Sequence, residues 1–435
     1  MKESLFAKYV LRFFPVLQKL IEKINGKRNN QLTYYHKDTS ILRRVYSPDN
    51  KWEADTVDTS YVAADYVSVD SPLPLKSRGS IETATGKLPK QGMKKTMKES
   101  DINTINYMEA QGGNTAEIQR RLANDSVACS VGIDERNEYA FLFGLSHGYV
   151  AVRDEDKDGA LLRLKFGYLD KNTYGIDSAA DGLTVDDLKY IIDQADKDGN
   201  TITKFWISKS RFNLLKKTPG AKELVANYRG QTFDSNTILP TPTATAFQEA
   251  FEDDTKGVTF EIVDRSVLIE YDGVKKSVKP WDDTKVIGVC NNQLGALVYG
   301  RLAEVTNKVS GVIYQTIDTY KLISKFSKTD PLREFTAGQA YVLPVIENPD
   351  QIYMIDTTVS QSVDETAEAA DTNDVYVTVF GNKYGKSGFV AALNAIDGGN
   401  LTASSADATI IRHVNKLSAE EKTQLQADTE SLIVT

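Results

Sequence analysis

Between positions 114 and 147 apolar residues recur at three-, four- and seven-residue steps, through Ile118, Leu122, Cys129, Ile133, Ala140 and Phe143. That spacing lays a single stripe along an α-helix. No proline interrupts the run. Asn114, followed three residues later by Glu117, forms a capping box at its start, and Gly148 supplies a left-handed stop at its end. At 1.5 Å per residue the helix spans roughly 50 Å, longer than most helices of a compact domain, so other elements must pack along it. Gly132 and Gly144 each weaken it by about 1 kcal/mol relative to alanine.

Residues 1–25 carry a second helical pattern, with Leu5, Tyr9, Phe13, Leu17, Leu20 and Ile24 as the apolar set and a kink expected at Pro15. Its amphipathic face is expected to dock on another subunit in preference to a membrane surface. The following GKRNNQLTYYHKD is polar and reads as an extended arm. Residues 52–100 form short strands punctuated by Pro72, Pro74, Gly79, Gly86, Pro89 and Gly92, without a core-forming pattern. After the long helix, YVAVR and ALLRLKFGY read as a hairpin. From residue 182 onward helices and strands mix: Thr184 caps a helix that Gly199 helps to end, TKFWIS is a buried strand, and Asp272-Gly273 turns a hairpin. Residues 363–374, VDETAEAADTND, lack large apolar groups and read as an acidic linker to a small final unit. The fold class is α+β.

At 435 residues and 41% hydrophobic, the chain is long enough for two to four structural units. The apolar start is broken by Lys8, Arg12, Pro15 and Lys19, so no membrane span is expected, and no small-residue cleavage site follows to suggest a signal peptide. Two cysteines, Cys129 and Cys290, suit buried thiols in a reducing, intracellular compartment. The net charge of -8 conceals an asymmetry: residues 1–100 hold 18 Lys and Arg against 11 Asp and Glu, and the remainder 34 against 49. Such polarity suits self-association between unlike ends as well as it suits nucleic acid. The basic excess peaks at 71–98, where Glu82 is the only acid among Lys76, Arg78, Lys87, Lys90, Lys94, Lys95 and Lys98. A proline-bounded two-strand loop of this kind is marginal alone and calls for a partner surface, which makes Lys76, Arg78, Lys87, Lys90, Lys94 and Lys95 the candidate intersubunit contacts.

Three motifs mimic catalytic or ligand sites. GLSHG at 144–148 fits a nucleophile elbow, but the elbow needs strand then helix, and the order here is helix then strand. GNKYGKSG at 381–388 resembles a phosphate loop, yet it is one residue short before its GK. DEDKDG and DQADKDG start like calcium loops, but Lys165 and Phe205 stand where the bidentate glutamate belongs. All three read as turns and helix ends. No catalytic, cofactor-binding or metal-binding residue is expected, and a hydrolase or nucleotide-binding enzyme using Ser146 or Lys386 is the weakest alternative.

A polar arm, a long basic two-strand loop, a spine-length helix, a strand pair and an α+β unit rich in short strands follow one another here. That succession, with segments such as SPLPLKSRG, ITKFWISKSRFNLL and REFTAGQAYVLPV, resembles the major capsid proteins of tailed bacteriophages over roughly residues 30–358. Encapsulins and the herpesvirus capsid floor share that fold. The resemblance implies an N-terminal helix and arm (1–51), an extended E-loop (52–110), a P-domain (111–180) with its spine helix at 114–147, and an A-domain (181–328). Returning strands of the core (329–360), the acidic linker (361–374) and a C-terminal extra domain (375–435) would follow. It further implies a non-enzymatic shell protein of the virion, assembled in the host bacterial cytoplasm into hexamers and pentamers. Its partners would be itself, portal, scaffold or decoration proteins, and packaged double-stranded DNA by nonspecific contact, with no membrane. An encapsulin-like compartment is the alternative within the same fold.

Overall fold

The long apolar stripe forms one uninterrupted helix, Thr115–His147, hereafter the spine. It is seen in a computed structural model that describes residues 2–25, 34–57, 81–112, 115–154, 160–178, 182–231, 239–271, 273–360, 376–380, 382–397 and 407–429. The expected cap Asn114 lies outside the described residues. The helix stops at Gly148, whose φ of +73° is left-handed and whose N–H closes the last turn on the Gly144 carbonyl at 2.8 Å. Ile118, Leu122, Cys129, Ile133 and Ala140 are buried as the spacing requires, whereas Phe143 is half-buried and stacked on His147 with ring centroids 3.9 Å apart.

Beneath the spine lies a six-stranded sheet. Its order is Leu42–Ser47, Gly295–Gly300, Leu332–Ile346, Lys321–Thr329 and Ile313–Ile317, and Lys90–Met97 also pairs with Leu332–Ile346. Only the first pair, Leu42–Ser47 with Gly295–Gly300, is parallel. Leu332–Ile346 is buried at most positions and shares one core with Phe141, Leu142 and Leu145 of the spine. Both helical glycines sit at close approaches. A Cβ on Gly132 would overlap Met93 Sδ, and one on Gly144 would sit 2.9 Å from Phe166.

The other core surrounds a five-stranded sheet ordered Thr173–Ile176, Ile352–Ser360, Lys285–Val289, Lys204–Ser208 and Thr259–Val263. Helix Val185–Lys197, capped reciprocally by Thr184 and Asp187, packs there with Lys209–Leu215, Pro219–Tyr228 and Ala244–Asp254. The strands between 295 and 329 belong to the sheet under the spine, and residue 328 falls inside strand Lys321–Thr329.

The N-terminal helical pattern differs from the expectation in two ways. It is split into Ala7–Phe13 and Leu17–Asn25 by a 3-10 turn, Phe14–Val16, centred on Pro15. The split rotates the apolar face, so Phe6, Val10, Phe14 and Ile21 are buried beside Tyr9, Phe13 and Leu17, while Leu5 and Leu20 are 45% and 39% exposed. The buried set packs on Ile118, Leu122 and Ala123 of its own chain's spine. Glu334 fixes the first residues, accepting from Ser4 Oγ and, at 3.1 Å, from the Leu5 N–H.

Strands Lys51–Val57 and Ile81–Lys87 pair as a hairpin whose base is anchored by the buried Trp52. Residues 58–80 between them lie outside the described residues, as do 155–159 and the linker stretch 361–375. The pattern gave no sign of helix Glu99–Ala110, which buries only Ile102 and Ile105. A second compact unit covers Ser362–Thr435. Hairpin Tyr376–Val379 with Asn382–Gly385 and helices Lys386–Asp397, Asp407–Lys416 and Ala419–Thr429 enclose a core that includes Phe389, Leu393, Ile410 and Leu425.

Candidate functional site

The basic segment divides into two faces. Lys76 and Arg78 lie outside the described residues. Lys87 ends strand Ile81–Lys87 exposed and directly opposite Lys51, a cross-strand pair of like charges. Along Lys90–Met97 the period-2 alternation turns Lys90 and Lys94 outward, with Lys94 Nζ 5.3 Å above the Phe335 ring. Gln91, Met93 and Lys95 point to the spine side: Gln91 Nε2 donates to Asn137 Oδ1 at 2.9 Å, and Met93 meets Gly132. Lys95 is half-buried and apart from the other two. Among the described residues, Lys87, Lys90 and Lys94 make no ion pair. The strand therefore presents an unneutralised cationic face.

A buried ion network joins the arm to the spine, and nothing in the apolar pattern announced it. Ser126, Ser130, Asp134 and Glu138 follow one another at four-residue steps on the spine's buried face. That row of polar residues is the signal that could have found it. Against it lie Tyr34 and the short 3-10 turn Tyr35–Lys37. His36 is 1% exposed, with Nδ1 2.7 Å from Glu138 Oε2 and Nε2 3.6 Å from Asp134 Oδ1. Glu138 also accepts the backbone N–H groups of Tyr35 and His36 at 3.1 and 3.2 Å. Lys37 reaches Asp134 at 2.8 Å and Asp318 at 3.3 Å, and the fully buried Lys321 reaches the same two carboxylates at 2.6 and 2.7 Å.

Burial raises the Asp134 carboxyl pKa, but Lys321, His36 and Lys37 outweigh burial and hold it at about 2. Burial likewise opposes a charged His36, yet the two flanking carboxylates leave its pKa raised above the ordinary imidazole value. Asp318 is lowered, its burial outweighed by Lys321 and Lys37. Removing one member of such a cluster strands an uncompensated charge, so its geometry is held tightly.

The catalytic look-alikes resolve into structure. Ser146 is fully buried in the spine's last turn, where its hydroxyl lies 3.2 Å from the Phe143 carbonyl and 2.9 Å from His147 Nδ1. His147 Nε2 stands 3.7 Å from Asp282, too far for a hydrogen bond. Lys386 opens helix Lys386–Asp397 and is buried, while Gly381 lies outside the described residues. DQADKDG is the end of helix Val185–Lys197, stopped by Gly199 at φ +77°. Among the described residues no group of three or more His, Cys, Asp and Glu is placed to hold a metal ion. Burial pushes the Cys129 and Cys290 thiols up to about 11 and about 12, which keeps both protonated.

The family described as phage major capsid protein E matches residues 17–357. No curated protein sequence matches the chain. Among solved structures, a candidate prophage capsid protein of E. coli CFT073 is similar at 13% identity and TM-score 0.47, over 78% of this chain and 97% of that one. The mature capsid of bacteriophage PhiM1 is similar at 12% identity and TM-score 0.41, over 74% and 87%. The cyanophage A-1(L) capsid is similar at 12% identity and TM-score 0.41, over 78% and 96%.

Proposed function

This chain belongs to the phage major capsid protein E family, and we propose that it closes into an icosahedral shell of hexamers and pentamers around double-stranded DNA. Its role is structural: it is a capsid protein of a tailed phage, resident in the virion shell, and not an enzyme. In this reading residues 52–110 hold the E-loop region and 111–180 the P-domain; the A-domain expected over 181–328 ends before residue 295, because the strands from 295 to 329 lie in the sheet under the spine, and 329–360 return through the core. Assembly takes place in the host bacterial cytoplasm. Portal, scaffold or decoration proteins meet the shell, and DNA contacts are nonspecific, because the overall acidity disfavours strong affinity for phosphates.

The observation that supports an assembly role for the basic segment is its unpaired cationic face. Among the described residues, Lys87, Lys90 and Lys94 are exposed without an acidic partner, whereas residues after 100 hold 49 Asp and Glu against 34 Lys and Arg. A neighbouring subunit supplies the missing acids, so the loop bearing Lys76 and Arg78 and the strand behind it lie across that neighbour. Lys95 belongs to the expected contact set but is half-buried and turned to the spine, so the proposed contact rests on the other residues. Each exposed pair contributes only about 0.2 to 1 kcal/mol, but a closed shell repeats it at every subunit.

The test is Lys87→Glu, Lys90→Glu and Lys94→Glu together, with Lys95 left in place because it faces the spine. Unassembled mutant subunits should keep the wild-type circular dichroism spectrum, while electron microscopy and sedimentation should show few or no closed shells. Normal shell yield and salt dependence in the triple mutant would rule out the electrostatic contact. A wild-type chain that sediments only as a 48.2 kDa monomer at every salt concentration would rule out the shell itself.

A further inference from the structure

The spine is joined to the rest of the N-terminal region in two chemically different ways. Residues 6–21 are held by apolar packing. Residues 34–37 are held by charge, through a buried imidazole set between two carboxylates. We propose that His36 is a protonation-dependent clamp that, as an imidazolium, holds the arm to the spine helix and lets it loosen as the pH rises.

Among the described residues, the groups paired with His36 and with its two carboxylates form one cluster, which Arg44 and the buried Tyr320 adjoin. The spine contributes Asp134 and Glu138, the Asp318–Lys321 turn contributes one carboxylate and one ammonium, and the arm itself contributes Lys37 and Tyr34. Behind Tyr34, whose hydroxyl donates to Glu135 at 2.9 Å, Arg265 closes on Glu135 at 2.6 Å. With His36 protonated, and with Lys321 charged although burial lowers its pKa against the pull of Asp134 and Asp318, three cations (His36, Lys37, Lys321) face three anions (Asp134, Glu138, Asp318). With His36 neutral, one negative charge is left over in a site closed to water, where an uncompensated charge is costly.

Loss of the proton also weakens the arm's main attachment. Glu138 Oε2 receives both the His36 ring and its backbone N–H, and a neutral ring loses the ion pair there, leaving only a neutral donor on the carboxylate. The effect extends to the N-terminal helices. Gln18 Nε2 donates to Asp318 Oδ1 at 2.9 Å and Gln18 Oε1 accepts from the Asp318 N–H at 3.2 Å, so the helix before the arm and the arm itself meet at the same carboxylate.

The sign follows from the raised pKa of the folded imidazole. The clamp is complete below the ordinary imidazole value of about 6.5 and is lost as the pH rises through the higher folded value. The arm is therefore tightest in mildly acidic solution.

Amide hydrogen exchange on the full-length subunit from pH 6 to 9, read as protection factors, tests this. Protection over 34–38 should fall at least tenfold with rising pH, while strand Lys204–Ser208 stays unchanged. His36→Gln, which keeps a side-chain donor but no charge, should remove the pH dependence and show the wild type's alkaline protection throughout. Equal pH slopes in wild type and variant would overturn the proposal. If His36→Gln does not fold, the wild-type imidazole decides, because the chain has only three histidines and His147→Gln and His413→Gln assign the other two resonances. A His36 ring that titrates above about 6.5 in step with the loss of arm protection supports the clamp, and one that titrates at or below that value overturns it.

Discussion

Gly132 on the spine and Gly338 on the strand beneath it occupy similar environments with opposite consequences. A Cβ on Gly338 would lie 2.8 Å from Cys129 Cβ, 3.1 Å from Ile323 Cδ1 and 3.3 Å from the Cys129 carbonyl, and the helix backbone cannot move away from it. A Cβ on Gly132 meets only the Met93 thioether, on a side chain that is 36% exposed and free to swing out. Gly338→Ala should therefore cost about 1 to 3 kcal/mol through overpacking. Gly132→Ala gains up to about 1 kcal/mol of helix propensity and should be neutral or mildly stabilising. Urea unfolding of unassembled subunits distinguishes the two. Neither outcome is legible in sequence, where both are simply glycines inside regular elements. The same holds for His36, which looked like one more polar residue in an arm because its partners lie about a hundred positions away on the spine.

At the scale of elements, legibility followed the strength of the local signal. The spine's length and its stop at Gly148 could be read because a proline-free period and a left-handed glycine act within a few residues of each other. The N-terminal helices were harder. LFAKYVLRFFPVL is apolar at so many positions that several faces score alike, and the 3-10 turn at Pro15 rotates the second helix relative to the first. The structure chooses the face through Phe6, Val10, Phe14 and Ile21. A mutational contrast checks it: Leu17→Ala, at a fully buried site, should cost about 2 to 5 kcal/mol, while Leu11→Ala, 59% exposed, should stay within about 0.5 kcal/mol. Equal losses in thermal unfolding of the unassembled subunit would mean that the outer face is also packed. Helix Glu99–Ala110 was missed because it is polar nearly all round and gains its place from two isoleucines alone.

Across the whole molecule, strand pairing is what the chain cannot announce. Leu42 pairs with Gly295 and Lys95 with Thr336, and periodicity is silent about partners so far apart. Composition changes near the division between the two units, where the sequence turns acidic and lacks large apolar residues. Contacts divide the chain at the same place, into Met1–Gln361 and Ser362–Thr435. The position of the cut matters: Ser360 still pairs with Ile176, so ending the chain before it would strip the edge of the five-stranded sheet. A chain ending at Gln361 retains both large cores and the N-terminal cluster, and it should unfold at the temperature of the full-length subunit's main transition. The final unit has its own core around Phe389, Leu393 and Leu425, but a domain of about 60 residues buries too small a fraction of its surface to be more than marginally stable. Residues 376–435 expressed alone should therefore be helical by circular dichroism and melt earlier. Calorimetry of the full chain should resolve a small low-temperature transition that disappears on truncation while the main one stays fixed. A drop in the main transition on removing 362–435 would mean that the two units share stability and that the division is one of sequence alone.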